Sequence, residues 1–158
     1  MFFEIGQYRL DIDVARTKHF YENADFVSKS CSCDGCLNFE KAVSALPISV
    51  IAFFTNLGTD MKKVCECYVN DTADDGTLLY GGFYHICGTL LDGKSAWKSI
   101  DENTFCWDSN ATFSICPDFF VSFQENVALL EKDFPLPVIQ LEFFAKIPWV
   151  LEKENTYQ

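Results

Sequence analysis

The sequence predicts an α+β fold in which N-terminal helices pack on a largely antiparallel β-sheet. Three observations predict it. Apolar residues recur at helical spacing early in the chain, β-forming runs with turn residues dominate from Val64 onward, and strands and helices do not alternate as βαβ units would. A length of 158 residues with 49% hydrophobic and 16% aromatic content suits a single domain, residues 1–158, with an ample core.

Phe3, Ile5, Tyr8, Leu10 and Ile12 alternate with polar positions around Gly6-Gln7, the pattern of a strand pair or of one kinked strand. Asp11 or Asp13 can then cap a helix from Val14 to Asn23, whose apolar side is Val14, Thr17, Phe20 and Tyr21. After the small-residue loop Ser30 to Cys36, a second amphipathic helix is expected over Leu37 to Leu46. Pro47 ends it or opens the next, and an apolar helix follows over Ile48 to Leu57, stopped at Gly58. Val64–Val69 and Leu78–Cys87 flank Asp74-Asp75-Gly76 and read as a β-hairpin, with Leu90-Leu91 running on into the turn Asp92-Gly93. Later strands are expected at Thr112–Cys116, Phe119–Gln124 and Val138–Ala145, with a helical turn over Asn126–Lys132. The tail from Glu152 is polar and reads as loose.

Composition narrows the function classes. Twelve Lys plus Arg against twenty-three Asp plus Glu give a net charge of −11, which repels nucleic-acid backbones and anionic lipid and favours a basic protein as partner. The first residues lack the basic start and apolar run of an export signal, and the longest apolar stretch, Ala45 to Phe54, contains Pro47 and Ser49 and falls far short of a bilayer's span. The expectation is a cytoplasmic protein without a membrane partner, in which the eight cysteines serve as thiols or metal ligands rather than as disulfides. In that compartment the two glycosylation-type triplets at Asn70 and Asn110 carry no meaning.

The densest chemistry is Cys31-Ser32-Cys33-Asp34-Gly35-Cys36, three thiols within six residues ahead of a helix. Thiolates so spaced can converge on one soft cation, and zinc accepts four in a tetrahedron. The fourth ligand comes from the hairpin: Cys65 or Cys67 on one strand, His85 or Cys87 on the other. If Asp74-Asp75-Gly76 is a three-residue loop, Ala73 faces Thr77 and counting back puts Cys65 opposite His85; a two-residue turn puts them on opposite faces. The expected metal set is Cys31, Cys33, Cys36 and His85, with zinc as the cofactor. A second use of the triplet is thiol chemistry at Cys36, which lies near a helix N-terminus where the dipole favours the thiolate, as in a thiol-dependent enzyme or redox sensor.

Other motifs fail on context. Gly88-Thr89-Leu90-Leu91-Asp92-Gly93-Lys94-Ser95 matches a phosphate loop letter for letter, but Asp92 places a carboxylate in the anion cradle and no long helix can follow before Asp101-Glu102. A calcium loop read from Asp71 has Ala73 and Gly82 where ligands are needed. His19 has no partner ligand at helical spacing, and no catalytic constellation is present. Tyr80-Gly81-Gly82-Phe83-Tyr84-His85 sets two glycines among aromatics inside a strand. They fit either a bulged core strand with large neighbours packed over them or an aromatic-lined pocket or contact surface.

The stretch Cys31-Ser32-Cys33-Asp34-Gly35-Cys36-Leu37-Asn38-Phe39, followed by Tyr80-Gly81-Gly82-Phe83-Tyr84-His85, resembles a family of uncharacterised bacterial proteins of similar length that carry Cys-x-Cys-x-x-Cys-x-Asn-Phe and Gly-Gly-aromatic-Tyr-His segments. The resemblance implies a bacterial cytosolic protein in which the Cys triplet and His85 meet, and it brings no activity with it. Together these readings describe a small acidic, non-enzymatic protein that binds another macromolecule.

Overall fold

The computed structural model describes residues 1–157 and has the expected α+β architecture. Strands β1 (Phe2–Ile5) and β2 (Tyr8–Ile12) form a hairpin that turns at Gly6, whose φ of 57° suits a residue without a side chain. Asp13 caps α1 (Val14–Asn23) by accepting the Arg16 N–H at 3.0 Å. The short α2 (Val27–Ser30) leads to α3 (Asp34–Ala42), which tightens into a 3-10 turn at Val43–Ala45. Pro47 then sits at the cap of α4 (Ile48–Asn56). Gly58, at φ 81°, ends that run as expected. No single helix is long and apolar enough to cross a membrane.

The strands that follow are β3 (Glu66–Thr72), the long β4 (Leu78–Asp92), β5 (Trp97–Ser99), β6 (Phe105–Trp107), β7 (Phe113–Cys116), β8 (Phe119–Gln124) and β9 (Val138–Ile147). Seven of them make one antiparallel sheet in the order β1-β2-β4-β9-β8-β7, with β3 paired to β4 beyond the end of β2. One face of this sheet meets the helices across packed aromatic rings. Phe39 of α3 lies 5.4 Å from Phe143, and Phe54 of α4 lies 5.0 Å from Tyr84 and 5.7 Å from Phe119. The other face carries Phe83, His85, Gln140 and Glu142 beneath the segment holding Phe134 and the separate β5–β6 hairpin.

Between its pairings with β3 and β2, the edge of β4 has no strand partner, and α1 satisfies it with side chains. The Tyr21 hydroxyl donates to the His85 carbonyl at 2.9 Å and accepts the His85 N–H at 3.2 Å, and Thr17 Oγ1 accepts the Cys87 N–H at 3.0 Å. The phosphate-loop lookalike is the end of β4 and a turn at Gly93 (φ 118°), with no helix after it.

Four expectations are corrected. Asn126–Lys132 forms no helical turn. The α3 helix starts at Asp34, earlier than Leu37, because Cys33 serves as its cap. Gly81 and Gly82 lie in a regular stretch of β4, and the bulge nearest them belongs to β3. The tail is docked: Lys153 Nζ sits 2.6 Å from Asp34, and Thr72 Oγ1 donates to the Tyr157 carbonyl at 2.8 Å.

Candidate metal centre

Cys33 and Cys36 are placed by the first turn of α3. The Cys36 N–H points at Cys33 Sγ, 3.5 Å away, so the sulfur does the capping that an oxygen usually does. Cys31 precedes it in extended conformation, and its Sγ lies 3.3 Å from that of Cys33. All three sulfurs fall within 4.8 Å of one another. The helix N-terminus supplies a partial positive charge to thiolates gathered there.

A fourth thiol stands beside Cys36, outside the triplet whose sulfurs all lie within 4.8 Å of one another. Cys67 of β3 is buried, and its Sγ is 3.9 Å from that of Cys36. In a tetrahedral zinc tetrathiolate with Zn–S near 2.3 Å, neighbouring sulfurs are about 3.8 Å apart. The Cys31–Cys33 and Cys36–Cys67 pairs, at 3.3 and 3.9 Å, lie on either side of that spacing, and Cys67 would have to close on the rest of the triplet to complete the tetrahedron.

Cys67 reaches the site because of one irregularity. The turn takes the three-residue form of the two considered: the Ala73 N–H donates to the Thr77 carbonyl at 2.8 Å, and Gly76 has φ 82°. Between Asp71 and Val69, however, β3 carries an extra residue, Asn70. The register therefore slips from Asp71 opposite Leu79 to Val69 opposite Tyr80. Below the bulge every side chain of β3 changes face relative to the regular count. Cys67 pairs with Gly82 and looks toward the helices, where Cys36 is.

His85, three residues beyond Gly82, points the opposite way. Its imidazole packs 5.7 Å from the Phe83 ring and 5.6 Å from the Phe134 ring, with Nε2 buried and without a hydrogen-bond partner among the described residues. The structure thus brings Cys31, Cys33 and Cys36 together and sets His85 on the far side of the sheet. Cys65 lies at the start of β3 with Sγ 3.6 Å from the Leu129 carbonyl. Cys87 is buried on β4. All eight cysteines are free thiols.

The electrostatics of the cluster divide it in two. Hydrogen bonds from the Cys33 backbone and then from the Cys33 and Cys36 side chains lower the half-exposed Cys31 thiol. Burial raises Cys36 well above the ordinary range, with the adjacent Cys67 adding to it, and burial pushes Cys67 up to about 12. A divalent cation reverses this, since a coordinating thiol gives up its proton to the metal. The shell around the site is ordered. Asn38, wholly buried two residues after Cys36, donates to Tyr80 Oη at 3.2 Å and to the Pro148 carbonyl at 3.1 Å, and it accepts the Val150 N–H at 2.7 Å. Tyr80 in turn donates to the Gly35 carbonyl at 2.7 Å.

Sequence reasoning missed the polar group on the outer face, where buried Glu142 accepts from Gln124 at 2.6 Å and also from Gln140. These residues sit at single strand positions in different strands and form no motif. Comparison with protein-family models, with curated proteins and with solved structures finds no match to this chain.

Proposed function

We propose that this is a small acidic, non-enzymatic protein of the bacterial cytosol that binds a basic protein, and that Cys31, Cys33, Cys36 and Cys67 hold a structural zinc ion fastening the start of α3 to β3. The observation that carries the reading is the gathering of the Cys31, Cys33 and Cys36 sulfurs within 4.8 Å, with Cys67 of a distant segment 3.9 Å from Cys36. Eight free thiols suit a reducing compartment, and the net charge of −11 suits a basic partner, for which charge complementarity raises association rate more than affinity. The two segments behind the bacterial resemblance support it in a different way from the one first expected. They pack together through Asn38 and Phe39 on Tyr80, rather than through His85.

Zinc held by all four sulfurs would be structural, its shell filled with no open position for water or substrate. Elemental analysis of protein purified without added metal, together with thiol titration, tests the reading. About one zinc per chain with four protected thiols is the expected result. Metal-free protein with one hyper-reactive thiol would instead favour redox chemistry. Geometry then assigns that thiol to Cys31, half-exposed beside Cys33, in place of the buried Cys36.

A further inference from the structure

The outer face of the sheet carries a cluster that the metal centre does not use. Along one row of the register, Glu66, Phe83 and Glu142 lie side by side; along the next lie Tyr68, Gly81 and Phe144. Gly81 has no side chain because the Tyr68 ring occupies its place, 2.6 Å from where a Cβ would stand. The β5–β6 hairpin adds two indoles. Trp97 and Trp107 meet edge to face at 5.3 Å, and Trp107 lies 6.3 Å from the Phe144 ring. The hairpin is pinned to the sheet, since the Ala96 N–H donates to Ser122 Oγ of β8 at 2.8 Å, and it is closed by the Asp108 N–H donating to the Ala96 carbonyl at 2.8 Å. Tyr68, Trp97, Trp107 and Phe144 are all half-buried, so their rings remain partly open to solvent, with Glu66 exposed at the rim.

The charge of this cluster is uncompensated. Glu142 is 4% exposed, its hydrogen bonds come from the neutral amides of Gln124 and Gln140 and from the Trp97 side chain, and burial raises its pKa. Among the described residues neither Glu142 nor Glu66 forms an ion pair. Lys98 on the hairpin is paired with Asp108, and Lys146, the next residue outward on β9, lies near Asp75. Carboxylates without a counter-charge attract a cation, and the negative faces of indole and phenol rings attract one that is weakly hydrated and carries apolar substituents. A small hard metal ion would gain nothing from the rings.

We propose that Glu142 and Glu66, with the rings of Tyr68, Trp97, Trp107 and Phe144, form a binding site for an organic ammonium cation, a quaternary or alkylated one best of all. This site is independent of the zinc reading and lies on the opposite face of the sheet.

Choline and its neutral isostere 3,3-dimethylbutan-1-ol, in which carbon replaces the charged nitrogen, are the probes, and the three indole N–H resonances are the readout. Choline is expected to shift the signals of Trp97 and Trp107 while leaving Trp149 in place, and to bind about tenfold more tightly than the alcohol. Glu142→Gln and, at the exposed rim where folding is not at stake, Glu66→Gln should each weaken choline binding severalfold. Equal binding of the alcohol, choline binding unchanged by both glutamine variants, or no shift of Trp97 and Trp107 at tens of millimolar choline would each overturn the proposal.

Discussion

At the scale of single residues, the account turns on which side chains share a face. Cys67→Ser removes one of four sulfurs and should weaken zinc binding by more than the ten- to hundredfold that follows loss of an outer-shell partner, read by competition with a chromophoric chelator. His85→Gln should leave metal content unchanged and alter acid stability instead. Burial holds the imidazole below its ordinary value, so on acidification the unfolded chain takes up its proton first, near pH 6.5. The stability this provides is complete above about pH 6.5 and is lost as pH falls below it. Urea midpoints measured from pH 7 down to 5 should therefore fall more steeply for the natural chain than for the variant. The triplet was legible in the sequence because its three cysteines are near neighbours and a helix start gathers them. The fourth ligand was not, because its identity depends on the parity of a count along two strands.

At the scale of elements, that parity is set by the bulge of β3. Alternation and turn chemistry correctly gave the hairpin but left its loop open between two and three residues; the structure has the three-residue form, with Ala73 paired to Thr77. An unpaired Asn70 leaves no such mark, since an asparagine in a polar edge strand has the same composition whether or not the ladder slips around it. The same limit explains β5 and β6, three residues each, too short to show a period. Gly82 is the element-level test of the register. A Cβ there would stand 2.3 Å from the Glu66 carbonyl and 2.7 Å from the Phe143 ring, and the backbone oxygen cannot move aside without breaking the β3–β4 pairing that aims Cys67. Gly82→Ala should cost about 1–3 kcal/mol by chemical denaturation. It should also lower zinc affinity. Gly81→Ala should leave zinc affinity intact, because the obstruction there is the Tyr68 side chain, which can swing.

At the scale of the whole molecule, the core is built from residues other than the cysteine cluster. Tyr84, Phe39, Phe54, Phe119 and Phe143 are buried between the sheet and the helices, a larger apolar core than that of a zinc finger, which is unfolded without metal. Chelation is therefore expected to lower the melting temperature and to speed amide exchange in the first turn of α3 and in the tail joined to it through Asp34 and Lys153, without unfolding the sheet. The fold class was readable from the early helical spacing and the late strand runs because a packed α+β layer arrangement demands those periods of any sequence that forms it. The docking of the tail was not, because Lys153, Thr72 and Tyr157 are polar residues whose partners lie in distant segments. X-ray absorption at the zinc edge tests the central claim most directly. Four sulfur neighbours at about 2.3 Å and no nitrogen is the predicted shell. An imidazole in that shell, or fewer than three sulfurs, would contradict it.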